Sequence, residues 1–163
     1  MTIITATFNA LPTLKEAYAS LLSQTHTDWE WIVVDGASTD GTVEWLSGLT
    51  DSRVNWKSEK DKGIYDALNK GIARATGEVI GFLHADDLLA GPEVLSEIAA
   101  RFQNSEIDGI YGDLQYVSAE NGRVIRHWKS SAFTHKKLQH GWMPPHPTCY
   151  FKKSVYEEIG TFD

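Results

Sequence analysis

Short apolar runs alternate along this chain with stretches in which apolar residues recur every three or four positions. The runs are typical of buried strands and cover residues 2–8, 29–36 and 78–83, and a weaker strand is predicted at 53–58. Each run is followed by a stretch of helical spacing, as in Leu14, Ala17 and Leu21. This strand–helix alternation predicts an α/β fold, with a mostly parallel sheet and helices on both of its faces.

The second half of the chain continues the pattern less regularly. Pro92 is a helix-start signal for the apolar positions that run to Phe102. Two further strands are predicted at 108–119 and 122–128, joined by a turn at Asn121-Gly122.

Polar residues gather where the predicted strands end. The first strand ends near Thr7 and Asn9, the second at Asp35, and the fourth runs into Asp86 and Asp87. Ligands of open parallel sheets bind beyond the carboxyl ends of the strands. These side chains therefore predict a binding site at one edge of the sheet.

Asp86 and Asp87 are the most informative of these residues, because two adjacent carboxylates after an apolar strand repel each other and resist desolvation. One interpretation is a turn before the next helix. The other is a site for Mg²⁺ or Mn²⁺, cations that prefer oxygen ligands and share their coordination shell with substrate phosphates.

The composition of the chain limits the kinds of molecule that it can bind and the cellular setting that it fits. The net charge is −7, which argues against a nucleic-acid groove and a basic membrane-binding face, and implies that an anionic substrate needs a cation or backbone donors. The lone Cys149 fits a reducing, cytosolic setting. No apolar run approaches the roughly 20 residues that span a bilayer, and the first residues do not resemble a signal peptide.

Four stretches carry a resemblance that covers nearly the whole chain: "IITATFNA", "WIVVDGASTDGT", "EKDKGIYDALNKGIARATGEVIGFLHADD" and "GTFD". In this order they resemble the family 2 glycosyltransferases, most closely those that build bacterial exopolysaccharide or O-antigen chains. The resemblance implies a GT-A (Rossmann-like) fold and a divalent cation, manganese or magnesium. It further implies inverting transfer from a nucleotide-sugar, with a UDP-sugar favoured, to a saccharide or lipid-linked acceptor. The expected location is cytoplasmic, with association at the inner face of the membrane.

By this resemblance, Thr7 and Asn9 line the nucleotide pocket and Asp35 holds the base. Ser38 is mainly a turn residue from its own pattern, and it joins the donor-binding set because backbone N–H groups there can face an anion.

The remaining donor-side residues follow in the same way. Asp61 and Lys62 sit where the family places nucleotide or phosphate contacts. Asp86 is expected to approach the ribose or the metal, and Asp87 to be the principal metal ligand. His84 stands where many relatives have an acidic residue; we expect it to be packed or bonded locally and not to bind the metal.

The acceptor side is expected in the second half. The resemblance places Trp142 and His146 there, Trp142 as a platform for a sugar ring or as packing, and His146 as part of an acceptor loop. Residues 1–163 are expected to form a single domain, with a donor-binding half at 1–90 and a partial acceptor-side half at 91–163. The catalytic base is expected beyond Asp163, with Asp113 a weak candidate within the chain.

Three other classes of protein remain compatible with these sequence features. A non-catalytic nucleotide-sugar binding domain would keep the same pocket. A nucleotidyltransferase would have a glycine-rich basic loop after the first strand, where this chain has "TATFNALPTLKE". A phospho-accepting receiver domain would have a lysine at a later strand end, where this chain has Gly112-Asp113.

Overall fold

A computed structural model describes all residues of the chain, 1–163. The strands are β1 (Thr2–Thr7), β2 (Glu30–Asp35), β3 (Val54–Ser58), β4 (Val79–Phe82), β5 (Gly109–Ile110), β6 (Leu114–Val117), β7 (Val124–Trp128) and β8 (Tyr150–Lys152). The helices are α1 (Leu11–Leu22), α2 (Thr42–Ser47), α3 (Ile64–Arg74), α4 (Val94–Phe102), α5 (His135–Gln139) and α6 (Lys153–Ile159), with a 3-10 turn at His146–Thr148. None of the helices combines the length and the apolar character that crossing a bilayer requires.

Six strands form the central sheet in the order β3-β2-β1-β4-β8-β5. The first four are parallel, and β8 runs antiparallel between β4 and β5. The predicted α/β fold with a mostly parallel sheet is therefore confirmed.

Two apolar cores lie on opposite faces of this sheet, because successive strand residues point to opposite sides. Ile3 belongs to the core that packs against α1, α2 and α4, whereas the next residue, Ile4, belongs to the core that packs against α3. The apolar stripes of the helices thus cover both faces, as the helical spacing predicted.

The structure corrects the prediction for the strands of the second half. The single strand predicted at 108–119 is two elements, since β5 belongs to the central sheet and β6 pairs with β7 in a separate hairpin. The chain leaves the sheet at Gly112-Asp113, where Asp113 accepts hydrogen bonds from Ser130 at the base of the hairpin. The strand β8 was not predicted, because three residues after a proline-rich stretch carry no periodic signal.

Aromatic rings of β8 lie over glycines of the two strands beside it. Tyr150 pairs with Gly81 and Phe151 with Gly109, and a Cβ on either glycine would overlap the facing ring. Because these glycines have no side chain, the two rings can occupy the space beside them.

We expect Gly81→Ala to destabilise the protein by about 1–3 kcal/mol, because the added methyl group would push the buried Tyr150 ring out of its place. Denaturant unfolding monitored by tryptophan fluorescence measures this change. Gly91→Ala is the matched control, since a Cβ at Gly91 meets nothing within 4 Å. Equal stability of the two variants would contradict the packing described for β8.

Candidate functional site

Three neighbouring parallel strands end side by side at one edge of the sheet. Thr7 of β1 is in register with Asp35 of β2, which is in register with Ser58 of β3. Thr7 is buried and its hydroxyl has no hydrogen-bond partner. The predicted convergence of polar side chains at this edge is thus present for β1 and β2, and Ser58 of β3 adds a further polar residue to it.

Asp35 is fully buried at this edge. Its Oδ2 accepts hydrogen bonds from the Ser38 backbone N–H at 3.0 Å and from the Ser58 hydroxyl at 2.6 Å, and its Oδ1 accepts one from the Ser38 hydroxyl. An ionised carboxylate offers about four acceptor positions, so one position at Oδ1 is left without a protein donor. The turn 36–39 covers this carboxylate.

The loops after β1 and β2 are bonded to each other. Asn9 has a left-handed backbone conformation, with φ of 49°. Its backbone N–H donates to the Ser38 hydroxyl, and its side-chain oxygen accepts from the Thr39 N–H, both at 2.8 Å. Asn9 and Ser38, both predicted as donor-binding residues, are therefore brought into direct contact at the site.

Asp61 approaches the end of β2 because residue 36 is a glycine. A Cβ on Gly36 would lie 2.8 Å from the Asp61 Oδ2. The other carboxylate oxygen of Asp61 accepts from the Gly63 N–H at 2.9 Å, which fixes the turn before α3. Lys62 is exposed in the same turn.

Asp86 and Asp87 lie in the turn after β4, with Asp86 exposed and Asp87 half-buried. Burial raises the pKa of Asp87; His84 and His146 oppose that shift, while the Asp86 carboxylate adds to it. The Asp86 carboxylate thus makes ionisation of Asp87 less favourable, and a cation bound between the two would remove this penalty.

The donor set fits a cation that substrate phosphates help to hold. No three His, Cys, Asp or Glu side chains come together to hold a metal ion by themselves. Mg²⁺ and related cations are commonly bound through one or two carboxylates, with phosphate oxygens and water completing the shell. The adjacent Asp86 and Asp87 meet that requirement.

His84 contacts a residue far along the chain. Its Nε2 lies 3.1 Å from the Nε2 of His146, in the 3-10 turn before β8, and its Nδ1 is buried without a partner. Burial lowers the pKa of His84, against the nearby Asp87 carboxylate. The pairing places the predicted acceptor-loop residue His146 beside the strand end that carries Asp86 and Asp87.

Trp142, the other predicted acceptor-side residue, lies in an aromatic cluster. Its ring centroid is 5.8 Å from that of Tyr111 and 6.5 Å from that of Phe133, and the Lys137 ammonium lies 5.8 Å from it. Its role as a sugar platform stays a prediction, and its packing role is visible in these contacts.

Asp113 is exposed, and its carboxylate already has hydrogen-bond partners within the chain. Its carboxylate accepts from the backbone N–H and hydroxyl of Ser130 at 2.9 and 2.8 Å, and His127 lies 3.4 Å away. The Ser130 hydrogen bonds lower the pKa of Asp113, which weakens it as a proton acceptor.

The fold is shared with solved glycosyltransferases of the GT-A class. A mannosyltransferase from Pyrobaculum calidifontis, solved with GDP-mannose and Mn²⁺, matches with a TM-score of 0.73 and 22% identity, over 99% of this chain and 47% of its own. TarS from S. aureus in complex with UDP-GlcNAc also matches with a TM-score of 0.73 and 22% identity, over 96% of this chain and 46% of its own. The expected GT-A fold is thus confirmed.

The sequence assigns the family. The model of glycosyl transferase family 2 matches residues 2–159, and the chain belongs to that family. A glycosyltransferase of Mycobacterium tuberculosis strain H37Rv, uncharacterized by its name, is 33% identical over 100% of this chain. A PGL/p-HBAD biosynthesis glycosyltransferase of Mycobacterium bovis strain BCG is 31% identical over 99% of it. The chain spans 62% of the length of both relatives.

Proposed function

We propose that this chain holds the donor-binding half and part of the acceptor-side half of an inverting glycosyltransferase. The enzyme would transfer a sugar from a UDP-sugar to a saccharide or lipid-linked saccharide in cell-surface polysaccharide synthesis. The observation that carries the proposal is the edge where Thr7 and Asp35 end neighbouring strands and Asp86 and Asp87 follow β4. The proposed location is the cytoplasm, at the inner face of the cytoplasmic membrane. The halves 1–90 and 91–163 are proposed to serve donor and acceptor.

Each strand end has a proposed task in holding the donor. Asp35 accepts the base's imide N–H at the position left on Oδ1, after a shift of the turn 36–39 that covers it. Thr7 turns its unpaired hydroxyl to the nucleotide, and Asn9 and Ser38 shape the pocket wall. In this proposal, this part of the site recognises the nucleoside of the donor.

The diphosphate is proposed to lie between two groups of side chains. Lys62 and the turn that Asp61 fixes contact the phosphates or the nucleotide from one side. Asp86 and Asp87 would hold Mn²⁺ or Mg²⁺ on the other side, with Asp86 also within reach of the ribose. A bound divalent cation supplies charge compensation for the departing diphosphate.

The acceptor is proposed to enter beside the His84–His146 pair, since that contact brings the segment before β8 to the end of β4. Inverting transfer needs a base that removes the proton from the acceptor hydroxyl. Asp113 is a poor candidate for this base because its carboxylate already accepts two hydrogen bonds from Ser130. We therefore propose that the base lies beyond Asp163.

A panel of nucleoside diphosphates, titrated by calorimetry with and without Mn²⁺, tests the proposed function. We expect binding that requires the cation, with UDP the tightest ligand. Cation-independent binding of the whole panel, or none, would contradict the proposal. Turnover that releases pyrophosphate, in place of a nucleoside diphosphate, would assign the chain to the nucleotidyltransferases.

Asp35→Ala is expected to weaken UDP binding by about 1–3 kcal/mol, which is the usual effect of losing a charged hydrogen-bond partner. The same change also removes the acceptor for Ser38 and Ser58, so part of the effect is on stability. Calorimetry gives the affinity, and thermal unfolding gives the stability.

Ser58→Ala is the matched control for Asp35→Ala. It deletes one of the hydrogen bonds that hold Asp35 while leaving the carboxylate for the base. We expect it to lower stability with little change in UDP affinity. Equal losses of affinity in the two variants would make Asp35 a structural residue only.

A further inference from the structure

The segment 114–143 lies outside the central sheet. It leaves after β5, forms the β6–β7 hairpin and α5, and returns to β8, which pairs with β5. None of its residues is buried, and most are exposed. A segment so little involved in the core is free to carry a surface function.

The charge of this segment is opposite to that of the chain. The chain has a net charge of −7, yet within 114–143 the single acidic residue is Glu120. The segment carries five cationic side chains: Arg123, Arg126, Lys129, Lys136 and Lys137. None of the five takes part in a salt bridge of the structure. The expectation against a basic face, drawn from the total charge, therefore does not hold locally.

The same segment exposes large apolar side chains among these cations. Ile125 is 71% exposed and Met143 65%, and Val124, Phe133 and Leu138 are about half exposed. Part of this set is contiguous, because the Phe133 ring lies 6.5 Å from that of Trp142, the neighbour of Met143, and the Lys137 ammonium lies 5.8 Å from the same Trp142 ring. Contiguous apolar surface of this kind marks an interaction site in soluble proteins. Cations interleaved with exposed aliphatic and aromatic residues suit the boundary between lipid headgroups and acyl chains.

We propose that the segment 114–143 docks the protein on an anionic phospholipid bilayer. Arg and Lys side chains would pair with the headgroup phosphates, and Ile125, Phe133 and Met143 would enter the boundary region. Nucleic acid would use the cations but leave the aliphatic side chains uncovered. The inference deepens the membrane location proposed above, and it names the surface responsible.

Co-sedimentation with lipid vesicles tests this surface independently of donor binding and transfer. The chain is expected to bind vesicles of phosphatidylglycerol mixed with phosphatidylcholine, and to stay in solution with phosphatidylcholine alone. Binding is expected to weaken with added salt, which screens exposed charges beyond about 10 Å at 0.1 M. Equal binding to both kinds of vesicle, or to neither, would overturn the proposal.

A triple variant, Arg123→Gln, Lys129→Gln and Lys136→Gln, removes three of the cations at exposed positions. Each cation near an anionic membrane contributes about fivefold to the affinity, so the expected loss is about 100-fold. The matched control, Lys15→Gln, Lys60→Gln and Arg101→Gln, removes the same charge from exposed positions elsewhere. Equal losses in the two triple variants would show a net-charge effect and overturn the proposal.

The apolar contribution is tested by Ile125→Ser with Met143→Ser, expected to weaken vesicle binding about tenfold because apolar area no longer leaves water. Leu22→Ser, at an exposed position of α1, is its control and is expected to leave binding unchanged. Circular dichroism checks that all variants fold. Self-association without vesicles, abolished by these substitutions, would assign the surface to a second copy of the chain instead.

Discussion

Replacing Asp87 with alanine is expected to remove the cation-dependent part of UDP binding. Asp86 and Asp87 are adjacent carboxylates just after the central strand β4. If both hold the cation, replacing one of them removes half of its protein ligands. We expect the affinity for UDP with Mn²⁺ to fall by about 100-fold, at the upper end of the effect of losing even a supporting residue around a metal. Isothermal calorimetry with and without Mn²⁺ measures it.

Two further variants make the result specific. Asp86→Ala reports which carboxylate matters more, since Asp86 is the more exposed of the two. Asp28→Ala removes one exposed acidic side chain before β2, at the opposite end of that strand from Asp35, and is expected to bind like the wild type. If Asp87→Ala and the wild type bound UDP equally and without need of Mn²⁺, the proposed cation site would be wrong.

The second large effect concerns transfer. We expect residues 1–163 to bind the donor and yet to transfer its sugar roughly 10² to 10⁴ times more slowly than a chain extended to the length of its relatives, because that is the usual contribution of a general base. The relatives are longer by more than a third of their own length, which leaves room for such a residue. Donor hydrolysis and transfer, measured side by side on both proteins, report the difference.

Asp113→Asn in each protein serves as the control for this comparison. Ser130 already donates twice to that carboxylate, so we expect the substitution to leave transfer by the extended chain nearly unchanged. Full transfer activity from residues 1–163, lost in Asp113→Asn, would place the base within this chain and contradict the prediction.

The fold of the first half was predictable because its signals are local. The strands β2 and β4 contain the continuous apolar runs WIVV and VIGF, and β1 combines apolar residues with β-branched threonines. A parallel strand buried on both faces needs such a composition. The second half was less predictable. The strand β8 is three residues long, and its place in the sheet depends on Gly81 and Gly109 accommodating its rings, which are contacts between distant parts of the chain.

The same distinction applies to the site. Thr7, Asp35, Asp86 and Asp87 could be proposed because each lies at or just after the end of a strand, and the same rule would also have found Ser58. The approach of Asp61 to Gly36 and the pairing of His84 with His146 could not, since each joins residues 25 or more positions apart through loops without a periodic pattern. The net charge of the chain likewise did not predict the basic segment 114–143, because a sum over all residues hides local differences in charge.

The position of β8 between β4 and β5 determines which part of the sheet is expected to unfold locally. The strand β5 pairs with β8 alone, so both strands are expected to detach from β4 as one unit, whose amides exchange with solvent faster than those of β1 and β2. His146 lies in the 3-10 turn just before β8, and it would move away from His84 in the same event. In the proposed donor complex, the segment before β8 would then loosen and reclose many times while the donor stays bound to the remaining strands.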